Sequence, residues 1–301
     1  MSRPTRVSIT ESSPRDGLQS LGVFIPTDAK IELIDELAMA GLRSFDAVSF
    51  VNPAAVPQMA DAAQVVAGVA RSGLHLNALV PNLRGLEAAM EAGVDGIGVL
   101  TAASDTFNQN NINATVDESM DRIRQILDEV PDGVTVRGYV STVTHCPFEG
   151  PTDPQRVARL TTTLFEWGCD EVFLGETIGK GTVADVERLL SVVLSEAPVD
   201  RLGVHFHDTY GQALANLVVA LDAGIARLDS SAGGLGGCPY APGAGGNIAT
   251  EDVMWLLDGL GISYEGELEE VASVASRFCE RHRLTYRSRA GEAVLAGTED
   301  E

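Results

Sequence analysis

Residues 202–231 read LGVHFHDTYGQALANLVVALDAGIARLDSS, and this stretch decides the fold. A short β-rich run, 202–207, is followed by Leu214, Leu217, Val218 and Leu221 at helical spacing, and then by a second β-rich run, 226–231. That is a strand, a helix and a strand, the unit that places two parallel strands side by side. The same alternation recurs along the chain. Further strands are predicted at 6–11, 44–50, 75–80, 95–100, 134–141 and 170–175. Helical patterns lie between them, for example Ile31, Leu33, Ile34, Leu37 and Ala38. Eight strands alternating with helices, with no linker or low-complexity break, predict an α/β fold, a (β/α)8 TIM barrel with a C-terminal helical extension. An open doubly wound sheet is the rival. It usually carries Gly-x-Gly-x-x-Gly after its first strand, and Arg15-Asp16-Gly17-Leu18-Gln19 is a different sequence. The expected organisation is one domain over 1–301, with the barrel at about 7–262 and C-terminal helices and tail at 263–301.

Bulk properties limit the function. The chain has 301 residues, 45% of them hydrophobic, enough for one large barrel core. A net charge of −22 argues against nucleic acid or an anionic membrane as partner. No apolar run is long enough to suggest a membrane span. The opening Met1-Ser2-Arg3-Pro4-Thr5-Arg6 has no apolar stretch behind it, and no secretory leader is expected. The four cysteines, Cys146, Cys169, Cys238 and Cys279, form no Cys-x-x-Cys pair. Reduced thiols and a cytoplasmic location are the expectation. Only two lysines, Lys30 and Lys180, stand against 19 arginines. Arg277, Arg281, Arg283, Arg287 and Arg289 cluster near the C-terminus, as a solvated face or an anion site.

Barrel active sites lie at the C-terminal strand ends. The suspicious polar residues fall there: Arg15 and Asp16 after the first strand, Asp46 and Ser49 on the second, and Ser141 on the fifth. Glu176 follows on the sixth, His205 and His207 on the seventh, and a glycine-rich loop after the eighth. His205 and His207 alternate on a strand, so both imidazoles share one side. Asp16 can add a carboxylate and Asn247 a carbonyl, a donor set that suits Mg²⁺ or Mn²⁺ better than structural zinc. The alternative is a pair of hydrogen-bonded core histidines. The loop 233–247 holds seven glycines around Cys238, a setting for a backbone that bends sharply or meets a ligand closely. A cysteine at such a tip has the exposure that a reactive thiol needs.

These motifs resemble one family. Ser13-Pro14-Arg15-Asp16-Gly17-Leu18-Gln19, Val56-Pro57-Gln58-Met59, Asn111-Ile112-Asn113 and Gly175-Glu176-Thr177-Ile178-Gly179 carry the likeness. So do the run His205 to Asn216 and the loop Gly234 to Asn247. The chain is similar to the 3-hydroxy-3-methylglutaryl-CoA lyases, within the metal-dependent aldolase, lyase and acyltransferase barrels. The resemblance implies cleavage of a 3-hydroxyacyl-CoA between C2 and C3. It implies Asp16, His205, His207 and Asn247 as ligands of a divalent cation that chelates the C3 hydroxyl and distal carboxylate. Arg15 would stabilise the enolate, Cys238 would transfer a proton, and Asp46 and Glu176 would complete the acid–base network. An acyl-CoA substrate gives the C-terminal arginines a target, with Arg283, Arg287 and Arg289 expected at the CoA phosphates. A homodimer is expected. Three other activities fit the motifs: lyases for citramalyl-CoA or for a longer isoprenoid-derived glutaryl-CoA, and a Claisen-type synthase.

The chain also departs from the family. Asp46 stands where the lyases usually have glutamate, and Glu176 where they have aspartate. A reciprocal exchange suggests two carboxylates that face each other and compensate. The mouth loop Gln19-Ser20-Leu21-Gly22-Val23-Phe24 is more apolar than usual, Thr144-His145-Cys146 replaces Leu-Gly-Cys, and Phe107-Asn108 replaces Phe-Ser.

Overall fold

The computed structural model describes residues 2–237 and 246–298. Eight parallel strands close a barrel: β1 (Ser8–Glu11), β2 (Ser44–Ser49), β3 (His75–Leu79), β4 (Gly96–Ala102), β5 (Thr135–Ser141), β8 (Glu171–Glu176), β9 (Leu202–Phe206) and β10 (Arg227–Ser230). A short antiparallel pair, β6 (His145–Cys146) and β7 (Gly150–Pro151), sits on the loop after β5. The order around the barrel is β1-β10-β9-β8-β5-β4-β3-β2. Each of the eight expected strands is present, shifted at its ends by up to two residues. The small hairpin was not expected.

Side chains on a strand alternate between the barrel interior and the helix layer. On β8, Val172 and Leu174 join the apolar core under the helices, whereas Phe173 stacks inside the barrel against Tyr139, ring centroids 5.3 Å apart. The helices cover the outer face because their apolar residues recur at turn spacing. The helix Val116–Leu127 buries Val116, Met120, Ile123 and Ile126, and Thr115 and Glu118 cap its start reciprocally. The helix Thr27–Met39 buries Leu33, Ile34 and Leu37 as its pattern predicts. The interior is more polar than a usual barrel core. Arg137 reaches across it to Thr10 Oγ1 at 2.8 Å and pairs with Glu171 at 2.9 Å, forming a floor below the mouth.

Two local features shape the mouth. After β1 the chain makes one π-helical turn, Ser13–Gly17, in which Gly17 N donates to Ser12 O across five residues. This wide turn presents Arg15 and Asp16, adjacent in sequence, to the same cavity. On β2 the register with β3 shifts between Asp46 and Val48, which re-aims the strand beside the site. Beyond the barrel, the helices Leu268–His282 and Arg289–Thr298 form the C-terminal extension.

Candidate active site

A cavity of about 450 Å³ opens at the carboxyl ends of the strands. Arg15, Asp16, Tyr139, Ser141, His205 and His207 line its polar side. The ligating atoms of Asp16, His205 and His207 all lie within 4.8 Å of one another. The two imidazole Nε2 atoms are 3.3 Å apart, and His205 Nε2 is 3.8 Å from Asp16 Oδ2. Octahedral ligands about 2.1 Å from an ion lie about 3 Å from their neighbours, so this spacing fits a small divalent cation. Asn247 pairs with His207 in an isolated bridge, and its Nδ2 donates to Asp16 Oδ2 at 2.8 Å. Its Oδ1 is buried with no hydrogen-bond partner, as is His207 Nδ1. An unpaired buried acceptor is costly, and a cation between the two Nε2 atoms would satisfy the Asn247 oxygen. The four residues predicted as ligands therefore meet, and their chemistry fits the ion.

The electrostatics agree. Burial pushes the Asp16 carboxyl up, but Arg15 and the two histidines overcome this and hold it well below the usual carboxylate range. Burial and the neighbouring His205 lower His207 to about 4, which leaves it neutral with a lone pair to donate. Burial lowers His205, yet the hydrogen bond to Asp229 and the charge of Asp16 raise it above its ordinary value. Asp229 Oδ2 accepts from His205 Nδ1 at 3.1 Å, and the two residues are register partners on β10 and β9. This carboxylate fixes the tautomer that leaves the Nε2 lone pair facing His207 and Asp16. The sequence reading passed over Asp229. Its signal was an acidic residue in the middle of an otherwise buried strand.

Arg15 is held by two carboxylates. Its Nε donates to Asp46 Oδ2 at 2.7 Å, its Nη2 pairs with the same oxygen, and its Nη1 donates to Asp16 Oδ1 at 2.5 Å. Burial lowers the guanidinium, and the two aspartates more than reverse this, so it stays charged. One N–H on each terminal nitrogen remains available for a substrate oxygen.

Glu176 is placed differently from expectation. Its neighbours Gly175 and Thr177 line the cavity, and alternation turns Glu176 outward. It is 1% exposed, accepts from Thr144 Oγ1 at 2.8 Å and from Gly181 N at 3.0 Å, and burial raises its carboxyl. Among the described residues Asp46 and Glu176 share no hydrogen-bond partner. The residue that meets Glu176 is Thr144, itself one of the departures noted in the sequence. A double-mutant cycle of Thr144→Val with Glu176→Asp should show coupling of about 0.5–3 kcal/mol in unfolding free energy, whereas Asp46→Glu with Glu176→Asp should add within about 0.5 kcal/mol. Strong coupling in the second cycle would restore the facing-carboxylate idea.

Cys238 lies outside the described residues. The loop that carries it has a tight base. A Cβ on Gly246 would lie 2.7 Å from Gly236 O, and Gly246 has φ +85°, so both glycines are needed where the two ends meet. Gly237 lines the cavity. Two fully buried carboxylates anchor the turn before this loop. Glu11 accepts from Ala232 N at 2.9 Å, and Glu251 from Gly233 N at 2.9 Å and Tyr286 Oη at 3.0 Å. Burial, with Glu11 nearby, pushes Glu251 up to about 8 from an ordinary value of 4.5. The folded protein then binds more protons than the unfolded chain between those values, so this group lowers stability as pH rises through the window. Glu251→Gln should gain stability relative to the parent from pH 5 to pH 8, read from urea midpoints. An unchanged difference across that range would contradict a raised Glu251.

Arg283, Arg287 and Arg289 are exposed, and none lines the cavity. The helix Leu268–His282 docks on the outer helix Thr27–Met39 through Arg277–Glu36 and Arg281–Glu32, so part of the arginine cluster is ion-paired. Arg287 N donates to Gly233 O at 2.9 Å, next to the turn before the Cys238 loop. Arg289 borders a separate cavity with Asp208 and Trp255. Among the described residues, no helix is long and apolar enough to cross a membrane.

Comparisons with known proteins agree with this geometry. The HMGL-like family matches residues 6–277. The chain is 46% identical over 293 residues to a mitochondrial hydroxymethylglutaryl-CoA lyase of Bos taurus, covering 97% of this chain and 90% of that one. It is 47% identical over 298 residues to a 3-hydroxy-3-isohexenylglutaryl-CoA/hydroxymethylglutaryl-CoA lyase of Pseudomonas aeruginosa, covering 98% and 99% of the two chains. A solved HMG-CoA lyase from Acinetobacter baumannii, in complex with coenzyme A and 3-methylmalate, superposes with a TM-score of 0.92 at 34% identity, over 96% of this chain and 95% of that one. With a closed barrel, a cation cluster at its mouth and these relatives over nearly its whole length, the chain belongs to the HMGL-like lyase family.

Proposed function

We propose that this protein cleaves 3-hydroxy-3-methylglutaryl-CoA between C2 and C3, releasing acetyl-CoA and acetoacetate with the help of Mg²⁺ or Mn²⁺. The observation that carries this reading is a buried arginine beside an Asp/His/His cluster in one cavity. When bound, the cation supplies Lewis acidity toward the C3 hydroxyl and the distal carboxylate. Asp16, His205, His207 and Asn247 would hold it, and Asp229 orients His205. The C3 hydroxyl gives up its proton to water at the open mouth of the cavity, and its oxygen becomes the ketone of acetoacetate as the C2–C3 bond breaks; the electron pair of that bond moves onto the thioester, and the two free N–H groups of Arg15 receive the enolate oxygen. Asp46 and Asp16 keep that guanidinium fixed, so little reorganisation accompanies the step. Cys238 delivers the proton that C2 gains. Glu176 acts at a distance, through Thr144 and the backbone of Gly181.

Arg283, Arg287 and Arg289 are assigned to the CoA phosphates, supported by their exposure and by the link from Arg287 to Gly233. The same reading includes a homodimer, the commonest oligomer of soluble enzymes, and a cytoplasmic location, supported by the free buried thiols of Cys146, Cys169 and Cys279.

A second reading rests on the apolar wall of the cavity. Leu21, Val56, Leu79, Leu100 and Phe107 line it and offer apolar surface for a longer C3 substituent. Release of acetyl-CoA decides between the readings. Metal-stripped enzyme, with Mg²⁺ or Mn²⁺ restored and a Cys238→Ala control, is assayed on 3-hydroxy-3-methylglutaryl-CoA and on an analogue with an extended C3 chain. Metal-dependent turnover of the methyl substrate supports the first reading, and turnover of the extended analogue alone supports the second. Turnover of neither removes both.

A further inference from the structure

Lys30 is one of only two lysines in the chain, and it is 2% exposed. It lies in the first turn of the helix Thr27–Met39. Burying an ammonium is expensive unless it is paired and fully hydrogen-bonded. The structure shows what answers that cost. Lys30 Nζ donates to Asp61 Oδ1 at 2.6 Å and to the backbone oxygen of Gln58 at 2.5 Å, and it lies 4.4 Å from the centre of the Phe24 ring. Thr27 Oγ1 donates to the second oxygen of Asp61 at 2.8 Å. The side-chain amide of Gln58 in turn donates to Leu21 O.

These contacts join two loops that approach the cavity from different strands. One, after the Arg15–Asp16 turn, contributes Gln19, Ser20 and Leu21 to the lining; the other, after β2, contributes Ala55, Val56 and Gln58. Lys30 lines no part of the cavity among the described residues. The first loop also neighbours the base of the Cys238 loop, since a Cβ on Gly237 would lie 3.6 Å from Ser20 Oγ. One buried charge thus ties together the outer wall of the acyl site.

We propose that Lys30 is a positioning residue for substrate binding: through Asp61, Gln58 and Phe24 it preorganises the Gln19–Phe24 and Ala55–Asp61 loops into the wall that receives the acyl chain. The inference rests on the lyase reading above. A compact ammonium suits the task, because it satisfies a carboxylate, a carbonyl and a ring face lying in different directions, where a planar guanidinium would not. A wall ordered before binding spares the substrate the cost of ordering it. Without Lys30, the loss therefore falls on substrate affinity, and the metal and the bond-breaking step are left intact.

The test compares wild type with Lys30→Met/Asp61→Asn, which removes both charges together and leaves neither one buried alone. Phe24→Ala is the second variant. It removes only a half-exposed ring and leaves the buried pair in place. Turnover of 3-hydroxy-3-methylglutaryl-CoA, its equilibrium binding by calorimetry and the Mn²⁺ affinity are measured for each. The double variant is expected to raise KM and the acyl-CoA Kd about tenfold, the cost of ordering one or two side chains on binding. Its kcat and Mn²⁺ affinity stay within about twofold, and Phe24→Ala moves KM and Kd in the same direction by a smaller factor. An unchanged KM and Kd in folded variants overturns the proposal. So does a parallel fall of kcat and Mn²⁺ affinity, which marks a general loss of structure. If the double variant does not fold, an unchanged Kd in Phe24→Ala overturns it. If wild type itself neither binds nor turns over the substrate, the lyase reading fails instead, and the two failures are told apart.

Discussion

Asp16→Asn is expected to lower kcat on the order of 10³-fold, equivalent to about 4 kcal/mol of lost transition-state stabilisation. Asparagine keeps the shape of Asp16 and its place beside Asn247, so the change removes a charge and little volume. Among the described residues Asp16 is the only carboxylate in the ligand cluster, and its ionised form is held by Arg15 and the histidines. Without it the site has only neutral donors next to a guanidinium, which repels a cation. Asp229→Asn should behave in a graded way. It leaves every ligand in place and loosens only the orientation of His205, so metal affinity falls about 10–100-fold. Excess Mn²⁺ should then restore turnover in Asp229→Asn and not in Asp16→Asn. Metal titrations of activity, with bound metal counted on the same samples, give both numbers. Wild-type metal affinity in Asp16→Asn would remove this residue from the ligand set.

Arg15→Met should lower kcat by about 10²–10³-fold, the usual cost of losing a donor aimed at a developing oxyanion. The sign of the metal effect separates this variant from the previous one. Arg15 pairs with Asp16 at 2.5 Å, and its positive charge opposes a cation held by the same carboxylate. Removing it should leave metal affinity unchanged or tighter. Arg15→Lys should recover little activity, because one ammonium cannot span Asp16 and Asp46 and still face the substrate. A variant that loses metal and activity together would show that Arg15 serves the metal site and not the enolate.

Sequence reasoning was strongest where information is local. Strands β1 to β5 and β8 to β10 were legible because β-rich runs and helical spacings alternate without interruption. His205 and His207 were legible because alternation on one strand places both on one side. Contacts between distant residues were harder to read. Glu176 sits at a strand end, as a catalytic carboxylate would, yet it faces the helix layer. On β8 both faces are buried, so no polar contrast marks the inward side. One residue of parity then decides between a cavity group and a scaffold group. Asp229, Glu11 and Glu251 were passed over for a related reason. Their partners come from other strands, from the turn at Ala232–Gly233 or from Tyr286.

By itself the sequence determined the barrel, through its periodicity, and the family, through the resemblance of its motifs; it also put Arg15, Asp16, His205 and His207 at the carboxyl ends of strands, because such placement is a property of neighbouring residues. The tertiary structure alone decided that Asp46 serves Arg15, that Thr144 serves Glu176, that Asp229 orients His205 and that Lys30 joins two cavity loops. Those assignments depend on which strands are adjacent around the closed barrel and on which way each side chain faces. Both are set by packing residues far apart in the chain, and no local window of sequence contains them.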